Sequence, residues 1–311
     1  MIDAAGAGRL RALLILGEDP ALTEPDSNHV RKSLESSPFV VLQEIFPSET
    51  SAFADVLLPG ASFAEKAGTF TNTERRVQLI RAALPPPAEA KPDWWITTAL
   101  ARRILELEKR RPVGRQAAWD YSEPAEIMDE IAAVTPSYGG VSHARLERGD
   151  RLQWPVPHGE HPGTPILHVG QFTRGKGKFH AVEHLDPAEM PDRDYPFLLT
   201  TGRVLYHWHG GELTRRVDGL LEIAPESMVE LSAEDAGQLH LETGRLTRLE
   251  SRRGSMIARC LISERVPPGI VFANFHFPGA ANVNNLTINA LDPVAKIPEY
   301  KVCAVKVAPA D

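Results

Sequence analysis

The hydrophobic pattern of the first sixty residues predicts alternating strands and helices. Short apolar runs end at glycine or polar residues, as buried strands do, and one stretch places apolar residues four apart behind a helix-capping pair. The predicted elements are strands at Leu13–Leu16, Phe39–Leu42 and Ala54–Leu58, and a helix that begins at Asp26 or Ser27 and carries Val30 and Leu34 on one face. Strand, helix and strand at this spacing are typical of an α/β domain with a parallel sheet.

This topology predicts where polar residues gather. In an open parallel sheet, ligands bind outside the carboxyl ends of the strands. Gly17–Pro20 and Gln43–Glu44 both follow predicted strands, so we expect them to lie side by side at that edge.

Helices and an irregular segment follow. Pro92 and Asp93 open a helix in which Ile96 and Leu100 share a face, and Pro124–Val134 is a second helical stretch. Residues 138–194 are rich in Gly, Pro and His with short apolar runs, which predicts an irregular connector.

The pattern changes to short strands from Tyr195 onwards, separated by turn residues such as Arg253-Gly254. The predicted strands are Phe197–Thr201, Met228–Leu231, Leu246–Glu250, Met256–Ile262, Ile270–Asn274 and Val302–Val307, with a capped helical turn at Ser232–Ala236. Several short strands at such intervals predict a small β-barrel or sandwich. We therefore divide the chain into residues 1–137, 138–194 and 195–311.

Composition narrows the functional classes. The net charge of −7, with both signs interspersed, offers no basic stripe for nucleic acid. The chain contains no apolar stretch long enough to cross a bilayer and no signal-like N-terminus, so we expect a cytoplasmic protein without membrane insertion. Its two cysteines, Cys260 and Cys303, lie in apolar segments too far apart in sequence for a metal motif.

Two polar blocks in the first third suggest nucleotide chemistry. Gly17 and Glu18, with Gln43 and Glu44, offer a close backbone approach and acceptors for ribose hydroxyls or a guanine edge; a solvated acidic turn is the simpler alternative. The block Gly68–Arg76, which includes Thr69 and Arg75, combines hydroxyls and guanidinium groups as a pyrophosphate requires. A charged β-turn explains this second block equally well.

Two further blocks lie in the predicted barrel. Thr201, Arg203, His207 and His209 form the first, and its histidines would share one strand face; zinc is disfavoured because further ligands at suitable spacing are lacking. The second supplies amides, an imidazole and a lysine for a heterocycle edge and a phosphate, although loop asparagines are usually turn formers. Its members are Asn274, His276, Asn285, Tyr300 and Lys301. A nucleophile elbow, a P-loop and a CxxC motif are all lacking, so we predict no catalytic and no metal-binding residue in this chain.

These blocks, in this order, resemble the C-terminal half of molybdopterin oxidoreductases of the dimethyl sulfoxide reductase family, in particular formate dehydrogenase alpha subunits. The resemblance runs from Leu13 to Val307. Its most specific parts are Leu16–Pro20, Ala54–Pro59, Gly68–Arg76, Thr201–Arg203 with His207–His209, and Lys296–Lys301.

The resemblance implies a Rossmann-like α/β domain followed by a double-psi β-barrel, which together bind a molybdopterin guanine dinucleotide. Two sets of contacts are implied, one from each domain. The α/β set is Gly17, Glu18, Gln43, Glu44, Gly68 and Thr69, and the barrel set is Thr201, Arg203, His207, His209, His276, Asn285, Tyr300 and Lys301.

The family pattern also has parts that these residues do not match. In the family an N-terminal region supplies an iron–sulfur motif, the molybdenum or tungsten ligand and a neighbouring His and Arg, and only residues 1–12 precede the first predicted strand here. We therefore expect a part of a formate dehydrogenase catalytic subunit that needs the missing N-terminal half and passes electrons to iron–sulfur and NAD-reducing subunits. A non-catalytic pterin-binding or assembly protein, or a nitrate reductase, remains an alternative.

Overall fold

A computed structural model describes residues 1–111 and 114–310, so residues 112, 113 and 311 of the predicted domains lie outside the described residues. The helices of the described residues are α1 (Ile2–Gly6), α2 (Pro20–Thr23), α3 (Ser27–Glu35), α4 (Asp93–Leu107), α5 (Arg115–Ala118), α6 (Pro124–Val134), α7 (His143–Glu147), α8 (Asp218–Ile223) and α9 (Ala233–Gln238). The strands are β1 (Leu13–Leu16), β2 (Val40–Glu44), β3 (Val56–Pro59), β4 (Gly68–Thr71), β5 (Val77–Ile80), β6 (Phe197–Gly202), β7 (Met228–Leu231), β8 (Leu246–Glu250), β9 (Ser255–Ile262), β10 (Ile270–Asn274) and β11 (Cys303–Pro309). Short 3-10 helices lie at Glu49–Phe53, Phe63–Glu65, Pro136–Tyr138, Thr214–Arg216, Gly279–Ala281 and Val283–Asn285.

The chain forms two compact units. Unit 1 contains residues 1–42, 46–57 and 183 to the C-terminus, and unit 2 contains residues 43–45 and 58–182. Unit 1 therefore joins the first strands and helices of the sequence to the β-rich C-terminal part.

A three-stranded sheet in the order β1-β2-β3 forms near the N-terminus. The helices that cover this sheet contribute the buried side chains Ala21, Val30 and Leu34. Leu13 and Ile15 of β1 pack against these three residues. The predicted helix is confirmed, because α3 begins directly after Asp26, whose side chain accepts a hydrogen bond from the backbone N–H of His29. A capped amphipathic helix over an apolar strand explains this layer.

Six strands of unit 1 close into a barrel in the order β10-β6-β11-β8-β9-β7, and β7 returns to pair with β10. The pairs β6–β10 and β7–β9 are parallel and the other four are antiparallel. Alternate residues fill the interior, among them Leu199, Val229, Leu249, Met256 and Val271. The predicted small barrel is thus confirmed over the sandwich, and closure leaves no strand edge at these six strands.

Unit 2 has its own small core. The hairpin β4–β5 pairs Gly68 with Ile80 and Thr71 with Val77, so the polar block that the sequence suggested as a turn includes a strand. Buried side chains from the hairpin, α6 and the following segment form the core, namely Val77, Met128, Val141, Leu152 and Val156. Residues 148–194 contain neither a helix nor a strand, whereas α7 lies within the segment predicted to be irregular.

No helix among the described residues is both long enough and apolar enough to cross a membrane.

Candidate functional site

Two cationic side chains of unit 1 share one aromatic ring. The Cζ atom of Arg203, in the loop after β6, lies 5.3 Å from the centre of the Phe275 ring, and the Nζ atom of Lys301 lies 5.7 Å from the same centre. The Arg203 guanidinium also lies 5.9 Å from the Trp208 ring centre and 3.4 Å, through Nη2, from Nδ1 of His209. The sequence blocks around Thr201 and Tyr300, about 100 residues apart, therefore meet at one place.

Neither charge has an ion-pair partner among the described residues. The ion pairs seen within the described part of the chain include neither Arg203 nor Lys301. Partial burial lowers the pKa of Lys301, and repulsion from Arg203 lowers it further. Adjacent cations without a carboxylate partner favour an anionic ligand, which would relieve this repulsion.

Hydrogen bonds fix the segment that presents Lys301. The hydroxyl of Thr201, at the end of β6, donates to the carbonyl oxygen of Tyr300 at 2.8 Å, and the Lys301 ammonium donates to the carbonyl oxygen of Thr201. Thr201 is buried. These two hydrogen bonds hold Tyr300 and Lys301 against the end of β6.

The acidic turn after β1 acts electrostatically on Tyr300. Burial raises the pKa of the Tyr300 hydroxyl, and the carboxylates of Glu24 and Glu18 raise it further. Burial also raises the pKa of Glu24, with a contribution from Glu18. Gly17 adopts a positive φ of 61° at the exposed start of this turn. The first predicted block and the last one therefore reach the same region of unit 1.

Asp19 has a different role from its neighbours in this turn. Its buried carboxylate accepts hydrogen bonds from the backbone N–H of Thr50 at 2.8 Å, from the Thr50 hydroxyl at 2.6 Å and from the backbone N–H of Glu49 at 3.2 Å. These bonds join the turn to the 3-10 helix Glu49–Phe53, so Asp19 fixes the position of the turn.

His207 and His276 hold the loop in place through both ring nitrogens. His276 is fully buried; its Nε2 accepts the backbone N–H of Val204 at 2.8 Å, and its Nδ1 lies 2.6 Å from the carbonyl oxygen of His209. His207 also uses both ring nitrogens, with the roles exchanged: its Nε2 lies 2.7 Å from the carbonyl oxygen of Ala224 and its Nδ1 lies 3.1 Å from Thr214 Oγ1. Burial lowers the pKa of His276, so the neutral imidazole with a proton on Nδ1 fits these partners.

The predicted strand face shared by His207 and His209 is wrong. Both residues lie in the loop that follows β6, and His209 has a positive φ of 47°. His207 is buried and His209 is exposed, because a loop does not alternate its side chains as a strand does. Within the described ranges, no group of three or more His, Cys, Asp or Glu side chains could hold a metal ion.

Glu212 and Arg215 are site residues that the sequence patterns did not single out. Burial lowers the pKa of Arg215 and raises the pKa of Glu212. The two groups interact electrostatically with each other, and the Asp19 carboxylate raises the pKa of both. The Nε atom of Arg215 is buried without a hydrogen-bond partner among the described residues. The Gly210-Gly211 pair before Glu212 was the available signal, since Gly211 has a positive φ of 79° and a Cβ there would lie 2.5 Å from the carbonyl oxygen of His276.

The asparagines predicted as ligand contacts connect parts of unit 1. Asn285 accepts a hydrogen bond from Arg31 Nη1 at 3.0 Å and donates to the carbonyl oxygen of Gly279 at 3.0 Å. Asn274, at the end of β10, accepts from the Ser227 hydroxyl at 3.3 Å. Both are buried, and these bonds give each amide a structural role in the fold.

Unit 2 contains the remaining predicted residues. Gln43 is buried and donates through Nε2 to Asp93 Oδ1 at 2.7 Å, and Lys66 pairs with the other oxygen of Asp93. The Oε1 atom of Gln43 is buried with no donor among the described residues, so it retains the capacity to accept a hydrogen bond. Glu44 accepts from the backbone N–H of Ile45 at 2.7 Å.

The hairpin block separates into two parts. Gly68 and Thr69 are half-buried members of β4. Arg75 directs its guanidinium to backbone carbonyl oxygens of Trp154, of Thr164 at 2.9 Å and of Pro165 at 3.0 Å. These bonds join the hairpin turn to a distant loop of the same unit, and they give no support to a phosphate contact by Arg75.

Comparisons with known proteins decide the family. Residues 1–103 match the molybdopterin oxidoreductase domain, and residues 197–304 match the molydopterin dinucleotide binding domain. The chain belongs to the molybdopterin oxidoreductases. The second domain coincides with the closed barrel.

Relatives of this molybdopterin oxidoreductase chain include formate dehydrogenases and nitrate reductases. It is 46% identical over 309 residues to the F420-dependent formate dehydrogenase subunit alpha of Methanocaldococcus jannaschii, an alignment that covers 99% of this chain and 44% of the relative. The assimilatory nitrate reductase catalytic subunit of Bacillus subtilis is 36% identical over 317 residues, covering 99% and 43%. The chain thus spans less than half the length of the curated relatives it matches.

Acetylene hydratase from Pelobacter acetylenicus has a similar structure, with a TM-score of 0.70 over 99% of this chain and 46% of that protein. The sequence identity is 15%, so this likeness concerns the fold alone.

Proposed function

We propose that this chain is the cofactor-holding part of a formate dehydrogenase catalytic subunit, whose substrate is formate and whose product is carbon dioxide. The observation that supports the proposal best is the cationic end of the barrel, where Arg203 and Lys301 lie over Phe275 without a carboxylate partner in the described residues. Formate is favoured over nitrate because identity to formate dehydrogenase alpha subunits reaches 46%, against 36% and 38% for two nitrate reductases.

The donor set fits a molybdopterin guanine dinucleotide. Such a cofactor presents pyrophosphate oxygens and the donor and acceptor edges of a pterin and a guanine. The two cations suit the pyrophosphate, and the exposed carboxylate of Glu18 accepts hydrogen bonds from a hydroxyl or from an N–H edge. In unit 2, the buried Oε1 of Gln43 would accept an N–H donor that the described residues do not supply.

The residues of the chain would bind and orient the cofactor, and they would not react. When bound, the cofactor would supply two-electron chemistry at a molybdenum or tungsten atom, whose protein ligand we expect on the rest of the catalytic subunit. Arg203, Lys301 and Tyr300 would hold one arm, while Glu44, Gly68 and Thr69 remain proposed contacts of the other. His209 would contact the cofactor through an exposed ring, whereas His207, His276 and Asn285 would position the loops that do so.

Finer features of the architecture belong to the same proposal. We assign the N-terminal sheet to a Rossmann-like domain and the barrel to the double-psi type, with the boundaries at residues 137 and 194 predicted from the sequence. Two parallel and four antiparallel pairs in one closed barrel support the second assignment.

The electron acceptor and the partners are proposed from the relatives. Electrons would leave through iron–sulfur clusters on other polypeptides, and a polypeptide corresponding to the rest of the relatives' length would supply the metal ligand. The sequence resemblance suggests NAD as the final acceptor, whereas relatives named F420-dependent favour F420. The chain alone would be inactive, and a cytoplasmic location stays a prediction from the sequence.

Reconstitution tests the proposal. The chain is co-expressed with the polypeptide that corresponds to the rest of the catalytic subunit, and formate oxidation is followed with NAD and with F420 as acceptors. Pterin, guanine nucleotide and metal are measured in the same preparation. We expect formate oxidation only in the complex, together with bound guanine dinucleotide.

A matched pair of variants tests the cationic site. Arg203→Ala removes one of two charges at the proposed pyrophosphate contact, for which we expect a loss of cofactor affinity of about 10- to 100-fold, as for one charge-assisted hydrogen bond. Arg248→Ala removes an exposed arginine from β8 and should leave pterin content unchanged. Equal pterin content in both variants would contradict the proposed site.

The alternatives predict different results from the same preparation. Nitrate reduction without formate oxidation would assign the chain to the nitrate reductases. Stoichiometric pterin binding by the isolated chain, with neither activity in the complex, would favour a non-catalytic pterin-binding or assembly protein.

A further inference from the structure

Glu189 is a nearly buried carboxylate that the sequence patterns did not single out. It lies in unit 1, in the irregular segment before β6, and its side chain is 10% exposed. Its Oε1 atom accepts hydrogen bonds from Arg252 Nη1 at 2.7 Å and from Arg253 Nη1 at 3.1 Å, and its Oε2 atom accepts from Arg253 Nη2 at 2.5 Å. Burial opposes ionisation, but the bonds from the arginines and from the backbone of Ala304 outweigh it and lower the pKa of Glu189, so the carboxylate is charged.

The two arginines form a fixed anchor in the turn between β8 and β9. Arg253 donates through Nε to the carbonyl oxygen of Leu286 at 2.8 Å, and its own carbonyl oxygen accepts from Asn28 Nδ2 at 3.0 Å. The Arg252 guanidinium also pairs with the carboxylate of Asp192. The carboxylate of Glu189 is therefore bound to a part of the barrel that is itself held from several sides.

The same segment reaches the residues on either side of Lys301. Glu189 Oε2 accepts the backbone N–H of Ala304 at 3.0 Å, and the backbone N–H of Ala188 donates to Glu299 Oε2 at 3.1 Å. The ladder between β11 and β8 begins only beyond Ala304, so Glu189 supplies the acceptor for an N–H that precedes this ladder. The stretch that presents Lys301 is thus attached at both of its ends.

This attachment opposes an electrostatic repulsion. Lys301 and Arg203 lie over the same Phe275 ring, and like charges at such a distance repel each other. A lysine side chain is flexible, so the two charges would separate if the backbone that leads into β11 could move. Ion pairs of a nearly buried carboxylate can supply the restraint, because its charge-assisted hydrogen bonds are strong ones.

We propose that Glu189 is a positioning residue of the cationic site: it fixes the start of β11 to the turn between β8 and β9 and so keeps the Lys301 ammonium beside Arg203. The inference rests on the proposed function, since the cofactor is the ligand that this pair of cations would bind. Glu189 would not touch the cofactor, and it would act through the backbone that leads into β11.

The pH dependence of amine acetylation tests this role in the isolated chain, without any cofactor. The rate at which Lys301 reacts with acetic anhydride is measured against pH by mass spectrometry, and the midpoint gives the pKa of the amine. In the unmodified chain, burial and repulsion from Arg203, the charged group that faces Lys301, lower this pKa below its ordinary value of 10.5.

Glu189→Gln should move the Lys301 midpoint upwards, towards 10.5. The amide keeps the shape of the side chain, but it loses the charge and turns an NH2 group towards one of its former donors, so the attachment loosens. The ammonium can then move away from Arg203 and into water, which favours its charged form. A merely structural role would lower the thermal stability without moving this midpoint.

Glu250→Gln is the matched control. Glu250 also contacts β11, through an ion pair with Lys306 at 2.6 Å. Its substitution should leave the Lys301 midpoint unchanged and lower the midpoint of Lys306, because the hydrogen bond and the charge of Glu250 raise the Lys306 pKa. Circular dichroism checks that both variants fold. If Glu189→Gln does not fold, Arg252→Gln, which removes only one of the two arginines, replaces it and should move the Lys301 midpoint in the same direction.

Cofactor retention in the complex with the rest of the catalytic subunit is the second measurement. Glu189→Gln should weaken pterin retention by about 3- to 10-fold, less than Arg203→Ala does, because Lys301 is displaced and not removed. In a Lys301→Ala background the same substitution should cause no further loss, since Glu189 acts through that side chain.

The possible failures are distinguishable. A folded Glu189→Gln protein with an unmoved Lys301 midpoint, or a further loss of pterin in the Lys301→Ala background, would overturn the positioning role and leave the proposed function standing. A complex of the unmodified chain that retains no pterin would overturn the proposed function and, with it, the part of Glu189 in holding a cofactor, whatever the midpoint shows.

Discussion

Asp19→Asn separates a structural role from a ligand-binding role for the acidic turn. Asp19 Oδ1 accepts two hydrogen bonds from Thr50, and Oδ2 accepts the backbone N–H of Glu49 at 3.2 Å. Asparagine has the same shape as aspartate. If its amide oxygen accepts the two hydrogen bonds from Thr50, its NH2 group must face the backbone N–H of Glu49. Two donors then oppose each other in a buried site.

The expected cost follows from these three bonds. A hydrogen bond to a charged acceptor contributes about 1.5–3 kcal/mol, and an unsatisfied buried donor costs about 1–3 kcal/mol. One bond is lost and two lose their charge, so we expect Asp19→Asn to destabilise the turn and the 3-10 helix Glu49–Phe53 by about 2–3 kcal/mol. At 1.4 kcal/mol per factor of ten, opening of this segment becomes about 30- to 150-fold more frequent.

Hydrogen exchange of the isolated chain, measured by mass spectrometry on the peptide that contains residues 49–53, reports this opening without any cofactor. Asp26→Asn is the matched control, since Asp26 caps α3 and asparagine caps helices about as well as aspartate. Unchanged exchange of the 49–53 peptide in Asp19→Asn would refute the structural role of Asp19.

Two further predictions concern the loop after β6. Gly211→Ala should destabilise unit 1 by about 1–3 kcal/mol, because the residue has a positive φ and its Cβ would meet the His276 carbonyl oxygen, whereas Gly219→Ala on α8 has open space and should cost nothing in thermal unfolding. Burial lowers the pKa of His276, so the unfolded chain protonates this histidine at a higher pH than the folded protein does. The stability that the neutral His276 contributes is therefore present above its ordinary pKa of 6.5 and is lost as the pH falls towards the pKa of the folded state. Urea unfolding between pH 7 and 5 should therefore show a smaller loss of stability in His276→Asn than in the unmodified chain, and equal slopes would contradict this linkage.

Local signals were sufficient to predict most elements. The barrel strands Met228–Leu231 and Leu246–Glu250 and the helix Pro124–Val134 have the bounds that the sequence predicts. In each case residues at an end of the element mark its bound, such as the proline in the first turn of α6, where that helix begins. The pattern that defines such an element lies within the element itself.

Partners distant in sequence could not be predicted in the same way. The strand β6 pairs in parallel with β10, about seventy residues later, and this pairing is one of the six that close the barrel. Arg75 illustrates the same limit for side chains. Its sequence block suggests phosphate binding, but its guanidinium meets carbonyl oxygens about eighty to ninety residues away, which only the folded chain brings near.

The polar blocks shared with the family therefore contain two kinds of residue. His207, His276 and Asn285 have their hydrogen-bonding groups engaged by the chain itself, whereas Arg203 and Lys301 retain charges that no carboxylate of the described residues neutralises. Removing a side chain of the first kind orphans a buried partner, so stability should fall before cofactor retention does. Removing the Arg203 charge relieves its repulsion of Lys301, so cofactor retention should fall while stability holds or rises. Sequence resemblance does not distinguish the two kinds of residue. They are distinguished by whether a substitution first lowers stability or first lowers cofactor retention.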